Sequence, residues 1–126
     1  MPTTNSLPAA NSHFISLADA ITMTTDYRAN RESILDTSKQ GQDILPLSET
    51  FNRDAIDGLL AQEGAEGIRI YYSMDVNDKV HAVLVAVTED NEDILTTNSL
   101  NEADPIIVEI GQRCPPTCPP ASDLNN

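Results

Sequence analysis

Basic residues are scarce in this chain of 126 residues: 7 Lys and Arg face 20 Asp and Glu, a net charge of −13. A groove for nucleic acid needs clustered cations on its phosphate contacts, so a nucleic-acid partner is not expected. The same imbalance argues against anionic membrane surfaces. No apolar run approaches the ~20 residues of a membrane-spanning helix. Tryptophan is absent, and the aromatic residues are Phe14, Phe51, Tyr27, Tyr71 and Tyr72. Two cysteines, Cys114 and Cys118, are too few for a disulfide scaffold. The first basic residue is Arg28 and no apolar stretch precedes it, so no secretory signal is read and a cytoplasmic chain with reduced thiols is the default; signal-less export stays open. Pro2 stands where myristoylation needs glycine.

What is present is enough for one domain. Residues 1–13 are polar, with Pro2 and Pro8, and read as an N-terminal arm. Ser16 with Asp19 three residues later is a capping-box variant opening a helix over about 16–36. Its stripe runs through Leu17, Ala20, Ile21, Thr24 and Tyr27. A second helix is expected over about 53–62, capped by Asn52, with Phe51 and Ile56 at staple spacing and Ile56, Leu59 and Leu60 inward.

Two strands follow. Residues 67–74 alternate Ile68, Ile70 and Tyr72 against Arg69, Tyr71 and Ser73, and 79–88 are apolar on both faces apart from His81. Asp75–Asp78 supplies the hairpin turn, and Glu89–Asp93 a further turn. Residues 96–104 read as polar loop. Ile106, Ile107, Val108 and Ile110, between Pro105 and Gly111, read as a third strand or a docking segment. The sum is an α+β fold: two helices on a small antiparallel sheet, with an arm at 1–13, a domain at 14–110 and a Pro/Cys-rich tail at 111–126.

Taken together, Asp43–Phe51, Gly67–Tyr72, His81–Val85 and Gly111–Pro119 resemble a group of short Bacteroidota proteins of no assigned activity. The resemblance covers about 14–120 and implies a shared module with a Pro-Cys end. The chain departs from the group at Glu89–Asp93, where relatives carry a Gly-containing turn.

No phosphate loop, dinucleotide fingerprint or Gly-x-Ser-x-Gly elbow is present, so no catalytic residue, cofactor or metal is assigned. His13 and His81 are the only histidines, and His81 is expected to face solvent or a helix edge. Glu89, Asp90, Glu92 and Asp93 offer hard oxygens but match no calcium loop and read as a solvated turn. Arg69 and Tyr71 share a strand face and form a candidate sticky patch, with Tyr72 on the other face. In the run Cys114-Pro-Pro-Thr-Cys118 a polyproline II path would hold the two Cα atoms ~12 Å apart, beyond disulfide reach, although a tight turn would join them. Arg113, Pro116 and Pro119 also fit a proline-rich peptide ligand. The leading expectation is a non-enzymatic structural protein that self-associates into a homo-oligomer or filament, its terminal segments docking on neighbours. Its candidate contact residues are Arg69, Tyr71, Tyr72, His81, Ile106, Ile107, Val108, Ile110, Cys114 and Cys118. The alternatives are an adaptor for another protein, or a small enzyme or ligand-binder using His81, Tyr71 or Tyr72, and Arg69.

Overall fold

A computed structural model describes residues 6–95 and 106–126. The expected polar loop at 96–104 and the first five residues of the arm lie outside the described residues. The fold is α+β, as the sequence leads one to expect. Helix α1 spans Leu17–Asn30, strand β1 Ser48–Thr50, helix α2 Arg53–Leu60, β2 Gly67–Met74, β3 Val80–Val87, β4 Ile107–Val108 and β5 Gln112–Cys114. One sheet has the order β2-β3-β4 and a second consists of β1 and β5; every pairing is antiparallel.

Local chemistry explains the element ends. Ser16 Oγ accepts the Asp19 N–H at 3.0 Å and Asn52 Oδ1 the Asp54 N–H at 2.7 Å, which satisfies amides that each first helical turn leaves open. The first helix stops at Asn30, short of 36, and a run of turns follows. Between β2 and β3 the Asp75 carboxylate accepts the N–H groups of Asn77 and Lys79, at 2.8 and 3.0 Å, and Asp78 takes a positive φ of 64°. That aspartate-built turn sets the register Met74↔Val80 through Gly67↔Val87.

The core lies under α2. Leu59, Leu84 and Val108 are buried together, and Phe51, Ala55, Ile56, Ile68 and Ala82 pack around them. The staple pair Phe51 and Ile56 thus works as a core contact. Helix α1 buries no residue fully. Its stripe residues Ala20, Ile21, Thr24 and Tyr27 are only half-buried, and Leu17 and Met23 are exposed. It is moored by polar bonds instead: Tyr27 Oη donates to Pro46 O at 2.7 Å and Arg31 Nη1 to Leu45 O at 2.7 Å. Burial raises the Tyr27 pKa, which keeps the phenol a donor.

Among the described residues, both end segments make contacts within the chain. Leu7 N–H donates to Glu89 O at 3.2 Å, and its side chain lies against Gly67. A Cβ at Gly67 would meet Leu7 Cδ1 at 3.0 Å and Val87 Cγ2 at 3.3 Å, so the arm needs the bare glycine. Phe14 and Ile15 stay exposed. At the other end, Arg28 donates to Leu124 O at 2.5 Å.

Within the segment expected as a tail, Gln112–Cys114 forms β5 and pairs with β1. Arg113 is 7% exposed and bonds three carbonyls: Nε to Val80 O at 3.0 Å, and Nη2 to Asp43 O and Ile44 O, each at 2.9 Å. Buried there, Arg113 cannot serve as the charged end of a proline-rich ligand. The following segment is not polyproline II either. The bonds Cys114-Pro115 and Pro115-Pro116 are cis, and a disulfide joins Cys114 to Cys118 with their Cα atoms 4.5 Å apart. The reduced-thiol expectation is corrected accordingly.

Replacing Arg113 leaves buried carbonyls without donors, a loss comparable to a charged hydrogen-bond network. Arg113→Met is expected to cost about 3 kcal/mol in urea unfolding. A change within about 0.5 kcal/mol, the ordinary range of surface substitutions, would show that the guanidinium does not hold the two sheets together.

Candidate functional site

Three features stand out on this framework, and the first comes from a mismatch of lengths. A helix of eight residues is about 12 Å long. A strand of eight runs about 26 Å. Helix α2 therefore covers only the Ile68, Leu84 and Ala86 end of the hairpin. Over the other half the sheet floors an apolar groove of about 580 Å³, walled by Tyr27, Leu45, Pro46 and Phe51 and floored by Ile70, Tyr72 and Leu84.

The rim of that groove is an open strand edge. Val80 and Ala82 of β3 turn their N–H groups away from β2, to Ile44 O and to Glu49 Oε1, each at 2.8 Å. In an antiparallel ladder their partners Met74 and Tyr72 must then turn their own backbone groups away from β3, and Ile70 with them. Among the described residues nothing pairs with these outward groups of β2. The side chains beside them are apolar and exposed: Ile70 51%, Tyr72 80% and Met74 62%.

The second feature lies on the opposite face of the hairpin. Arg69 and Tyr71 do share a face, but they close onto the turn after β3 rather than forming a free patch. Arg69 bonds Asp93 and Asn91, the latter through its carbonyl at 2.8 Å, and the Tyr71 hydroxyl donates to Asp93. Asp93 is thereby an internal anchor, bridged to Val87, and not one acid of a solvated loop. Arg69 and Tyr71 are thus separated from Tyr72 by the sheet, so the four residues of the enzyme or ligand-binder reading do not converge on one pocket.

The third feature surrounds His81, which does not face solvent as expected. The imidazole is about four-fifths buried among carboxylates. Nε2 lies 2.8 Å from Asp75 Oδ2, and Nδ1 lies 3.1 Å from Glu109 Oε1. One carboxylate oxygen from each of Glu49 and Glu109 and a ring nitrogen of His81 all fall within 4.8 Å of one another. Glu49 reaches in from β1; Gly111 makes room, because a Cβ there would meet Phe51 Cζ at 2.7 Å and Glu49 Oε2 at 2.9 Å. Neither Glu49 nor Glu109 is distinguishable by sequence pattern, since each sits alone among apolar or neutral neighbours 60 residues apart (109 − 49).

The remaining sequence candidates are dispersed. Val108 is buried under α2, and Ile107 pairs with Val85. The Ile106 N–H is held by Gln62 Oε1 at 2.9 Å. Ile110 is 89% exposed. Cys114 is buried in β5, and Cys118 is its disulfide partner. No helix is long and apolar enough among the described residues to cross a membrane. Comparison with known protein families, curated proteins and solved structures finds no match.

The Asp75 contacts make an acid-limb prediction. Its carboxyl is held below its ordinary value of 3.8, first by the His81 hydrogen bond and next by the Lys79 amide. A carboxyl depressed in the folded state stabilises the fold above its unfolded pKa, and that contribution is lost as pH falls through the folded one. Below about pH 4, wild type is expected to lose stability more steeply with falling pH than Asp75→Asn, while above pH 5 the variant is the less stable. Urea midpoints measured from pH 5 downwards check this; parallel curves would contradict it.

Proposed function

We propose that this chain is a non-enzymatic structural protein that associates with copies of itself, and that the outer edge of β2 is the contact surface. The observation that carries the reading is the unpaired run Ile70–Met74, with free backbone groups beside exposed apolar side chains. An open edge of this kind is a template for another strand, and proteins that stay monomeric blunt it with charge, proline or a bulge. Here the only charge on β2 is Arg69, which is already bound to Asp93.

Pairing two β2 edges about a two-fold axis joins two three-stranded sheets into one of six strands, and the interface is self-complementary. Tyr72 and Met74 of each copy then lie along the apolar groove. This placement puts the contact on the β2 edge rather than on the terminal segments expected from sequence. A strand from a different protein fits the same edge, and that adaptor reading takes over if the purified chain stays monomeric.

Analytical ultracentrifugation over a range of concentrations is expected to give a species of twice 13.7 kDa or a multiple of it. Tyr72→Pro removes an outward N–H while leaving the β2–β3 bonds in place, and Ile70→Lys puts a charge on the edge. Each is expected to shift the chain to monomer with its circular dichroism unchanged. Because each copy carries −13, association should strengthen as salt rises from about 0.02 M to 0.15 M and the Debye length shrinks to about 8 Å. An edge variant that keeps the wild-type mass would refute the assignment.

A further inference from the structure

The groups around His81 leave a proton unaccounted for. Asp75 accepts from Nε2, and its other oxygen is committed to the Asn77 and Lys79 amides. That arrangement puts the ring proton on Nε2 and leaves the Nδ1 lone pair aimed at carboxylates. Nδ1 is buried and makes no aligned hydrogen bond, although Glu109 Oε1 is 3.1 Å away. Glu49 Oε2 is likewise buried without a partner, its other oxygen being taken by the Ala82 N–H. Among the described residues no Lys or Arg is ion-paired with Glu49 or Glu109. Acceptors gathered without a donor repel one another, and a buried carboxylate oxygen with no partner costs its full desolvation. A cation between them resolves both problems.

We propose that Glu49, His81 and Glu109 form a binding site for a divalent transition metal of the zinc class. The donor set, one imidazole nitrogen and two carboxylates, is one that zinc and its neighbours accept, whereas calcium and magnesium prefer oxygen throughout. Ligands of a tetrahedral zinc stand about 3.4 Å apart. The 3.1 Å pair already matches, and the 4.8 Å limit on the cluster leaves a small closure. Glu109 is exposed and supplies that movement, while Glu49 and His81 are held by strands β1 and β3. Asp75 takes the place of the carboxylate that commonly orients a metal-bound histidine through its other nitrogen. The donors come from three separated strands or strand ends, so the metal would cross-link β1, β3 and the segment after β4. Three protein ligands leave a fourth position open to solvent on the Glu109 side.

The test uses the full chain freed of metal and titrated with Zn²⁺ alone by calorimetry. Uptake of one Zn²⁺ per chain is expected, with affinity falling at least about tenfold in Glu109→Gln and about 10- to 100-fold in Asp75→Asn. Glu109 is exposed and, among the described residues, its carboxylate bonds no backbone group, so its variant should keep the wild-type circular dichroism. As a second readout, long-range ¹H–¹⁵N spectra should show the His81 Nδ1 signal moving on Zn²⁺ addition while Nε2 keeps its proton. Absence of binding, binding untouched by Glu109→Gln, equal heats from Mg²⁺, or a fixed Nδ1 signal would each overturn the site.

Discussion

The backbone of β3 needs partners along its whole length, and β4 is too short to provide them. Strand β4 contributes two residues, opposite Leu84 and Val85, while β3 begins at Val80. The N–H and C=O of Val80 and the N–H of Ala82 would otherwise be left open at the centre of the molecule. They are met by one backbone carbonyl, Ile44 O, and two side chains, those of Arg113 and Glu49. Glu49 and Arg113 are register partners in the β1–β5 ladder. A small second sheet thus completes the first by presenting a carboxylate and a guanidinium where a longer strand would present amides and carbonyls. Removal of Glu49 leaves the Ala82 N–H without a partner, and removal of Arg113 leaves the carbonyls of Asp43, Ile44 and Val80 without a donor.

The same shortage of covering structure shapes the surface. A domain of this size has only a few buried side chains to spend on two sheet faces. Leu59, Leu84 and Val108 close one end of the α2 face. Val85 and Val87 on the far face are closed by the 89–93 turn and by Leu7. The groove and the β2 rim beside it are left uncovered. The edge and the groove are two aspects of one deficit, the eight-residue length of α2.

The hairpin was legible because its signals are local. Period-two alternation in 67–74, an apolar run in 80–87 and aspartate turn chemistry between them all act within a few residues, and the register follows from the turn. Helix caps at Ser16 and Asn52 are local in the same way. The hidden parts depend on long-range pairing. Nothing in Ser48–Thr50 or Gln112–Cys114 marks a strand, since each is made by the other. Arg113 carries no local sign of burial, which is explained only by carbonyls from residues 43, 44 and 80. The Cys114–Cys118 disulfide takes the tight turn that the sequence leaves open beside a polyproline II path, and only the folded chain decides between the two. The carboxylates about His81 come from positions 49, 75 and 109, and only the folded chain reveals that they share a centre.

Ile110 lies between the two sheets with φ at 59°, a conformation a β-branched residue adopts only under compulsion. It is the corner at which one extended stretch leaves β3 and joins β1. The two sheets therefore share one continuous stretch of chain, β4 running through Ile110 into β5. A two-stranded sheet is not stable by itself, so neither half can persist when that shared stretch peels away. Amide exchange at Leu47, whose N–H is held by Cys114 O at 2.7 Å, and at Val80, on the far side of the corner, would then be governed by the same opening event. The chain has the outline of two sheets and the cooperativity of one.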